Sequence, residues 1–283
     1  MYKIIKKKEL NPTVTEMHIL APLVAGKAKP GQFIILRVDE DGERIPLTVA
    51  GVNPEEGTVR IIFQIVGATT LKLNRKEEGD YIQDFAGPLG EATKTEGIRK
   101  VCIVGGGVGC AIALPVAEEF HRLGAEVTSI IGFRSRDLLI LEDEFRSCSD
   151  RLIVMTDDGS YARQGNVTVP LKEMLEQGER FDEVITIGPL IMMKFVVAAV
   201  RPFGIPCTVS MNPIMIDGTG MCGGCRLTLV REDGTKVTKF ACVDGPDFNG
   251  YEVDFDEAMS RGRMYTYFER RAYDEACNLL NKA

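Results

Sequence analysis

The stretch that decides the fold is VCIVGGGVGCAIALPVAEEFHRLG, residues 101–124. It opens on four apolar residues, enters a loop with glycine at 105, 106, 107 and 109, and continues with helical apolar spacing to Gly124. A strand feeding a glycine loop and then a helix is the opening of a nucleotide-binding unit. Glycine lets a pyrophosphate reach the backbone, and the helix N-terminus supplies amide donors and positive potential. The fingerprint is partial, because Cys110 stands at its third glycine position. A tight strand-to-helix turn is the plainer alternative, but a turn does not require glycine at Gly105, Gly106, Gly107 and Gly109 together.

Downstream, EVTSIIGF (126–133), RLIVMTDDG (151–159), LKEMLEQG (171–178) and DEVITIGP (182–189) keep strand and helix alternating. This predicts an α/β doubly wound parallel sheet. The second strand runs into Arg134 and Arg136, where a dinucleotide site for NAD usually has an acid. Arginine there suits a 2′-phosphate, so by that rule alone NADP is favoured. Upstream, TVTEMHILAP, GQFIILRVDE, RIPLTVAGVNP and TVRIIFQIVG are short apolar or β-branched runs bounded by Gly, Pro, Asn and Asp. Closely spaced strands without long helical patterns between them predict a small antiparallel β-barrel.

Beyond residue 211 the chain becomes loop-rich. IDGTGMCGGCRLTL (216–229) places Cys222 and Cys225 as C-x-x-C among glycines, and Cys242 follows alone. Plant-type iron–sulfur loops read C-x4-C-x2-C followed by a distant Cys. Asp217 holds the first of those positions, and three thiolates need a fourth donor. An iron–sulfur cluster ligated by Asp217, Cys222, Cys225 and Cys242 is the favoured reading. A zinc site using Asp217 or Cys207, and no metal at all, are its rivals. CRLTLVREDGTKVTKFACVDGP reads as two strands joined at EDG. The tail after residue 250 reads as helical, with Met264, Phe268 and Ala272 on one face that could cover a core edge or a partner.

The 283 residues carry 34 Lys plus Arg against 41 Asp plus Glu, a formal charge of -7. With no long basic stripe, no nucleic-acid partner is expected. Apolar runs such as VVAAV (196–200) are too short to span a bilayer, so no membrane partner is expected. The N-terminal MYKIIKKKELNP is basic, but no apolar segment of signal-peptide length follows it, and a cytoplasmic protein is expected. Eight dispersed cysteines are not a disulfide framework. His18 and His121 are assigned no chemistry.

The order of barrel, dinucleotide sheet and cysteine loop resembles the ferredoxin–NADP reductase superfamily, and within it the branch of dihydroorotate dehydrogenase electron-transfer subunits. RIPLT (44–48) resembles the flavin-binding strand of that superfamily. VGATTLKL (66–73) resembles its flavin-pyrophosphate loop. GPLG (87–90), GGGVGCAIALP (105–115), TDDGS (156–160) and GPLIMM (188–193) fit as well. Dihydroorotate-type subunits have four cysteines in the cluster loop. The Asp-plus-three-Cys pattern is similar instead to small subunits of NADH-dependent ferredoxin–NADP reductases, the electron-bifurcating transhydrogenases also described as sulfide dehydrogenases.

The resemblance implies an FAD-binding barrel over 1–97, an NAD(H)-binding domain over 98–210, a [2Fe–2S] module over 211–250 and a helical tail over 251–283. It implies that Arg44 holds the FAD pyrophosphate, that Pro46, Leu47 and Thr48 line the isoalloxazine, and that Gly67, Thr69, Thr70 and Gly87 complete the flavin site. NADH would bind across Gly105, Gly106, Gly107 and Gly109, with Asp157, Asp158, Gly188 and Pro189 near the ribose or nicotinamide. The implied partner is a larger flavoprotein subunit carrying FAD, 4Fe–4S clusters and an NADP site, with ferredoxin reached through the heterodimer. No general acid or base is assigned, because hydride transfer belongs to the cofactors. A subunit serving dihydroorotate or sulfide/polysulfide turnover, and a zinc-stabilised nucleotide-binding module without redox role, are the alternatives.

Overall fold

In the computed structural model, which describes residues 1–280, two seven-stranded sheets carry most of the chain. The first contains β1 (Tyr2–Asn11), β2 (Val14–Leu20), β3 (Phe33–Arg37), β4 (Arg44–Asn53), β5 (Thr58–Gln64), β6 (Tyr81–Ile82) and β7 (Asp84–Leu89). Two short helices accompany it, α1 (Pro22–Ala25) and α2 (Ala68–Asn74). The order is β6-β1-β2-β5-β4-β3-β7 with antiparallel pairing throughout. The two outermost strands, β6 and β7, are separated in the chain by Gln83 alone. A sheet whose edges are covalent neighbours has to curl onto itself, so this one forms a nearly closed barrel. Its interior is filled by Ile4, Met17, Ile19, Ile34, Leu36, Ile61 and Phe63.

The second sheet contains β8 (Lys100–Gly106), β9 (Glu126–Phe133), β10 (Arg151–Thr156), β11 (Arg163–Gln164), β12 (Glu183–Ile187) and β13 (Cys207–Ser210), all parallel. Its helices are α3 (Cys110–Arg122), α4 (Glu142–Ser147), α5 (Thr168–Glu176) and α6 (Leu190–Val200). The order β11-β10-β9-β8-β12-β13 reverses direction at β8, so the doubly wound expectation holds. Val101, Cys102, Ile103 and Val104 of β8 are fully buried, as expected for a central strand covered on both faces.

The last segment supplies a hairpin of β14 (Arg226–Val230) and β15 (Lys236–Phe240), then α7 (Ala241–Asp244). β16 (Asp247–Asn249) adds antiparallel to the β13 edge, and α8 (Phe255–Arg261) and α9 (Thr266–Leu280) complete the chain. Residues 281–283 of the expected tail lie outside the described residues. Among the described residues, no helix is long and apolar enough to cross a membrane.

The barrel and the α/β sheet are tied by polar contacts. Glu16 of β2, only 5% exposed, accepts from Arg60 Nε at 2.9 Å and from His18 Nε2 at 2.9 Å. Arg60 also reaches Glu144 of α4 at 3.6 Å. Burial alone would raise the Glu16 pKa, but hydrogen bonds from His18 and Arg60 and the Arg60 charge outweigh it and hold the carboxyl at about 2. A depressed folded pKa means the stabilisation is complete above the unfolded value of 4.5 and fades as pH falls from there toward 2. Glu16→Gln is therefore expected to cost ~2 kcal/mol at pH 7 in urea unfolding, and the gap to wild type should shrink as pH is lowered toward 2.

Candidate functional site

In the barrel, β4 pairs with β3 from Arg44 to Thr48 but meets β5 only from Val49 onward, with a bulge at Ala50. The strand changes neighbours halfway, so the barrel is open along residues 44–48. Proline in a strand is confined to such edge-like stretches, and Pro46 lies opposite Ile35 there. Leu47 and Thr48 are half-buried, and Arg44 is exposed. Among the described residues the Arg44 guanidinium has no ion pair. A cavity of about 290 Å³ at this end is lined by Ile35, Arg44, Asp84, Phe85, Ala86 and Asp217. It joins the β4 strand to the cysteine loop, two segments 173 positions apart by number.

The second predicted flavin segment caps α2. Thr70 is buried, its hydroxyl accepting from Val66 N at 3.0 Å and Gly67 N at 3.1 Å while donating to Gly67 O. Thr70 thus shapes the loop from within. Thr69 is half-buried and donates to Glu43 Oε2 at 3.1 Å. Gly87 packs on β3, where a Cβ would stand 2.6 Å from Ile34 Cγ2.

At the α/β sheet, the Gly105–Gly109 loop and the Gly188–Pro189 turn leave the C-terminal ends of β8 and β12, the adjacent strands at which the order reverses. A Cβ on Gly109 would lie 2.6 Å from Ile187 O, and one on Gly106 would lie 2.3 Å from Met192 Sδ. Much of the glycine demand read in the sequence therefore comes from two loops pressed together. Gly107 is different: its φ is +56° and a Cβ there would meet nothing within 4 Å. The N-terminus of α3 has no side-chain cap and no acid in its first turn, and a 3-10 turn over Gly107–Gly109 leads into it, with Cys110 N donating to Gly107 O.

The TDDGS turn follows β10, beside the arginines that follow β9. Asp157 N and Asp158 N donate to Phe133 O and Arg134 O. Asp158 is folded onto its own turn, accepting from Ser160 N and Oγ, and the Ser160 hydroxyl holds its pKa down. Arg136 lies over the Tyr161 ring at 5.5 Å, and its amide is held by Ser160 Oγ.

In the cysteine loop, Cys225 Sγ and Cys242 Sγ are 3.2 Å apart as free thiols, both buried. They share one apolar core with Phe33 and Ile35 of β3 and with Val196 and Val197 of α6. The module is thereby wedged between barrel and sheet. Burial and the Cys225 thiol push Cys242 up to about 12. Gly218, at φ +79°, rests on the barrel so closely that a Cβ would stand 2.7 Å from Leu89 Cδ1 and 3.0 Å from Ile35 Cδ1. Cys222 is exposed, and its Sγ accepts from Gly224 N at 3.5 Å. Asp217 accepts from Thr219 N at 2.7 Å and Cys222 N at 2.9 Å, and these amides hold its pKa low.

These contacts turn the carboxylate onto its own loop, and among the described residues no three potential ligands converge on one point. The donor set still fits a metal centre, with two thiols already paired and a third on a glycine-rich loop. The carboxylate would have to swing off its amides to join them. Cys207 is buried in β13 and absent from this cluster. Sequence reasoning missed Asp84 and Phe85, whose place in the shared cavity depends on barrel closure. It also missed Asp247, which accepts from Thr93 Oγ1 at 2.6 Å and ties the barrel's exit segment to β16.

Residues 212–254 match the model of the iron–sulfur cluster binding domain of dihydroorotate dehydrogenase B. The chain is 46% identical over 272 residues to a dihydroorotate dehydrogenase B (NAD(+)) electron transfer subunit homolog of Thermotoga maritima, covering 96% of this chain and 94% of that one. It is 49% identical over 280 residues to an uncharacterized protein in the adh 3′ region of Clostridium beijerinckii, covering 96% and 93%. Among solved structures it resembles one of an NADH-dependent reduced ferredoxin-NADP oxidoreductase studied for flavin-based electron bifurcation. The TM-score is 0.89 and the identity 44%, with 97% of each chain covered.

Proposed function

Because the chain belongs to the family of dihydroorotate dehydrogenase B electron-transfer subunits and their homologues, we propose that it is the electron-transfer subunit of an electron-bifurcating NADH-dependent ferredoxin–NADP oxidoreductase. The observation that carries this reading is the full-length likeness to the solved oxidoreductase of that kind. The cofactors are FAD, a [2Fe–2S] cluster and NAD(H). When bound, the flavin accepts a hydride and the cluster carries single electrons, which together convert two-electron into one-electron transfer.

The residues divide that work. Arg44 would offer its fork of donors to the FAD pyrophosphate. Pro46, Leu47 and Thr48 would line the flavin ring, with the loop of Gly67, Thr69 and Thr70 and the Gly87 segment closing the site. Gly105, Gly106, Gly107 and Gly109, at the N-terminal end of α3, would take the dinucleotide pyrophosphate. Asp157, Asp158, Gly188 and Pro189 would flank its ribose and nicotinamide. NAD(H) is assigned from the likeness to the NADH-dependent oxidoreductase, against Arg134 and Arg136, which stay exposed beside the Asp157 turn.

Asp217, Cys222, Cys225 and Cys242 would ligate the cluster. The shared cavity supports a short route from flavin to cluster, since Arg44 and Asp217 line the same space. A carboxylate oxygen is a harder donor than a thiolate and favours the ferric state. Asp217→Cys is therefore expected to raise the cluster midpoint potential in a redox titration followed by EPR. An unchanged or lower potential would count against Asp217 as a ligand.

The chain is a subunit of a larger complex. We assign its partner as a larger flavoprotein with FAD, 4Fe–4S clusters and an NADP site, through which ferredoxin is reached, in the cytoplasm. Native purification tests the whole reading. The chain should elute in a complex with such a flavoprotein, and its flavin should be reduced faster by NADH than by NADPH. A strictly monomeric chain in its native extract would refute it, and a co-purifying dihydroorotate-oxidising subunit would favour the related activity instead.

A further inference from the structure

The matched iron–sulfur domain ends at Asp254, and the chain continues with α8 and α9. α8 is anchored. Phe255 is buried in the common core, Asp254 caps the helix through Glu257 N, and Lys194 of α6 pairs with Asp256 at 2.6 Å. At its end, Arg261 Nη2 donates to Gly224 O at 3.4 Å, and Gly224 lies between Cys222 and Cys225. The helix therefore delivers the next segment of chain to the rim of the cysteine loop.

That segment, SRGRMYTYFERRAY (260–273), contains four arginines, one glutamate, three tyrosines, a phenylalanine and a methionine. The chain as a whole is acidic, with a formal charge of -7. Tyr267 is 71% exposed, Phe268 65% and Met264 61%. Of the two roles open to the face of Met264, Phe268 and Ala272, a core edge or a partner, the first is not filled, because Phe268 and Ala272 are exposed. Instead α9 touches the barrel at α2, and its Tyr273, Ala276 and Cys277 are half-buried. Arg271 pairs with Glu275, whereas Arg263 and Arg270 have no ion pair among the described residues. On the other side of the loop, Met221 is 90% exposed, with Ile216 and Val243 also open to solvent.

We propose that residues 261–271, together with the Met221 tip of the cysteine loop, are the docking surface for the larger redox subunit, and that they bind a carboxylate-rich patch on it. This rests on the electron-transfer reading above: Cys222 is the exposed thiol of the loop, and the segment starts beside it, where Arg261 reaches Gly224 O. Arginine, tyrosine, phenylalanine and methionine are the types enriched at interface centres, while unpaired arginines on an otherwise acidic chain select an acidic partner. The aromatic residues would supply contact area and the arginines orientation and approach rate.

The test uses the native complex, separated by high salt and reassociated, with affinity measured by calorimetry across ionic strengths. The double variants are Arg263→Glu with Arg270→Glu, and Tyr267→Ala with Phe268→Ala. Each is expected to weaken association at least ~10-fold, and charge reversal should flatten the salt dependence. Both variants should keep wild-type flavin reduction by NADH and wild-type cluster bleaching, which shows that they fold. Wild-type affinity in both variants would overturn the docking assignment while leaving the electron-transfer reading intact. So would variants that lose only self-association of this chain, since the face would then be a contact between copies. A wild-type chain that binds no larger subunit, or carries no cluster, would overturn both.

Discussion

Cys225→Ala is expected to remove the broad absorption of the cluster and its EPR signal while leaving the flavin bands in place. Cys225 is 1% exposed, and its thiol is 3.2 Å from Cys242 in a core shared with β3 and α6. No solvent molecule can replace a ligand that deep without a cavity opening. Losing a supporting partner of a metal ligand typically costs ~10–100-fold in affinity or activity, so losing the ligand itself should exceed that. Transfer from NADH to a one-electron acceptor through the module should fall by more than ~100-fold, whereas hydride transfer to the flavin persists. Cluster retention in Cys225→Ala, which leaves no donor atom at this position, would mean that these two thiols do not form the centre.

The second large effect is expected at Gly109. In Gly109→Ala the new Cβ would stand 2.6 Å from Ile187 O and 2.7 Å from Gly188 Cα, both backbone atoms that no rotamer change can move. Separating the β8 and β12 loops should cost ~1–3 kcal/mol, as overpacking does. It also displaces the α3 N-terminus, and a misplacement of about 1 Å can cost ~100-fold in a positioned reaction. Thermal unfolding and KM for NADH should therefore worsen together. Gly107→Asn separates the two effects. Asparagine tolerates the +56° φ, and its side chain enters open space where the dinucleotide is proposed to lie. There KM should rise with little change in melting temperature. Equal destabilisation by both variants would assign the loop a purely structural role.

The doubly wound sheet was legible because VCIV is buried on both faces, so its pattern is a plain apolar run. The barrel was legible from β2 to β5, but β1 was not. YKIIKKKELN places only Ile4 fully inside, and its lysines mask the alternation. Closure was hidden as well, because it depends on β6 and β7 being joined by Gln83. The cysteine spacing grouped Asp217, Cys222, Cys225 and Cys242, of which Cys225 and Cys242 lie together while Asp217 and Cys222 stand apart from them. Sequence could not reveal that Asp217 rests on the amides of Thr219 and Cys222, since that depends on the φ angles of the intervening glycines. Nor could it separate glycines that face a ligand from those that face another loop: Ile187 is 78 positions by number from Gly109.

The most direct measurement is the visible spectrum of the anaerobically purified chain before and after dithionite. Flavin bands accompanied by broad, bleachable absorption at longer wavelength are the expected result, placing FAD and a [2Fe–2S] cluster on one chain. A flavin spectrum without that absorption would contradict the electron relay and leave only a flavin reductase. A colourless, zinc-containing protein would contradict the redox function altogether.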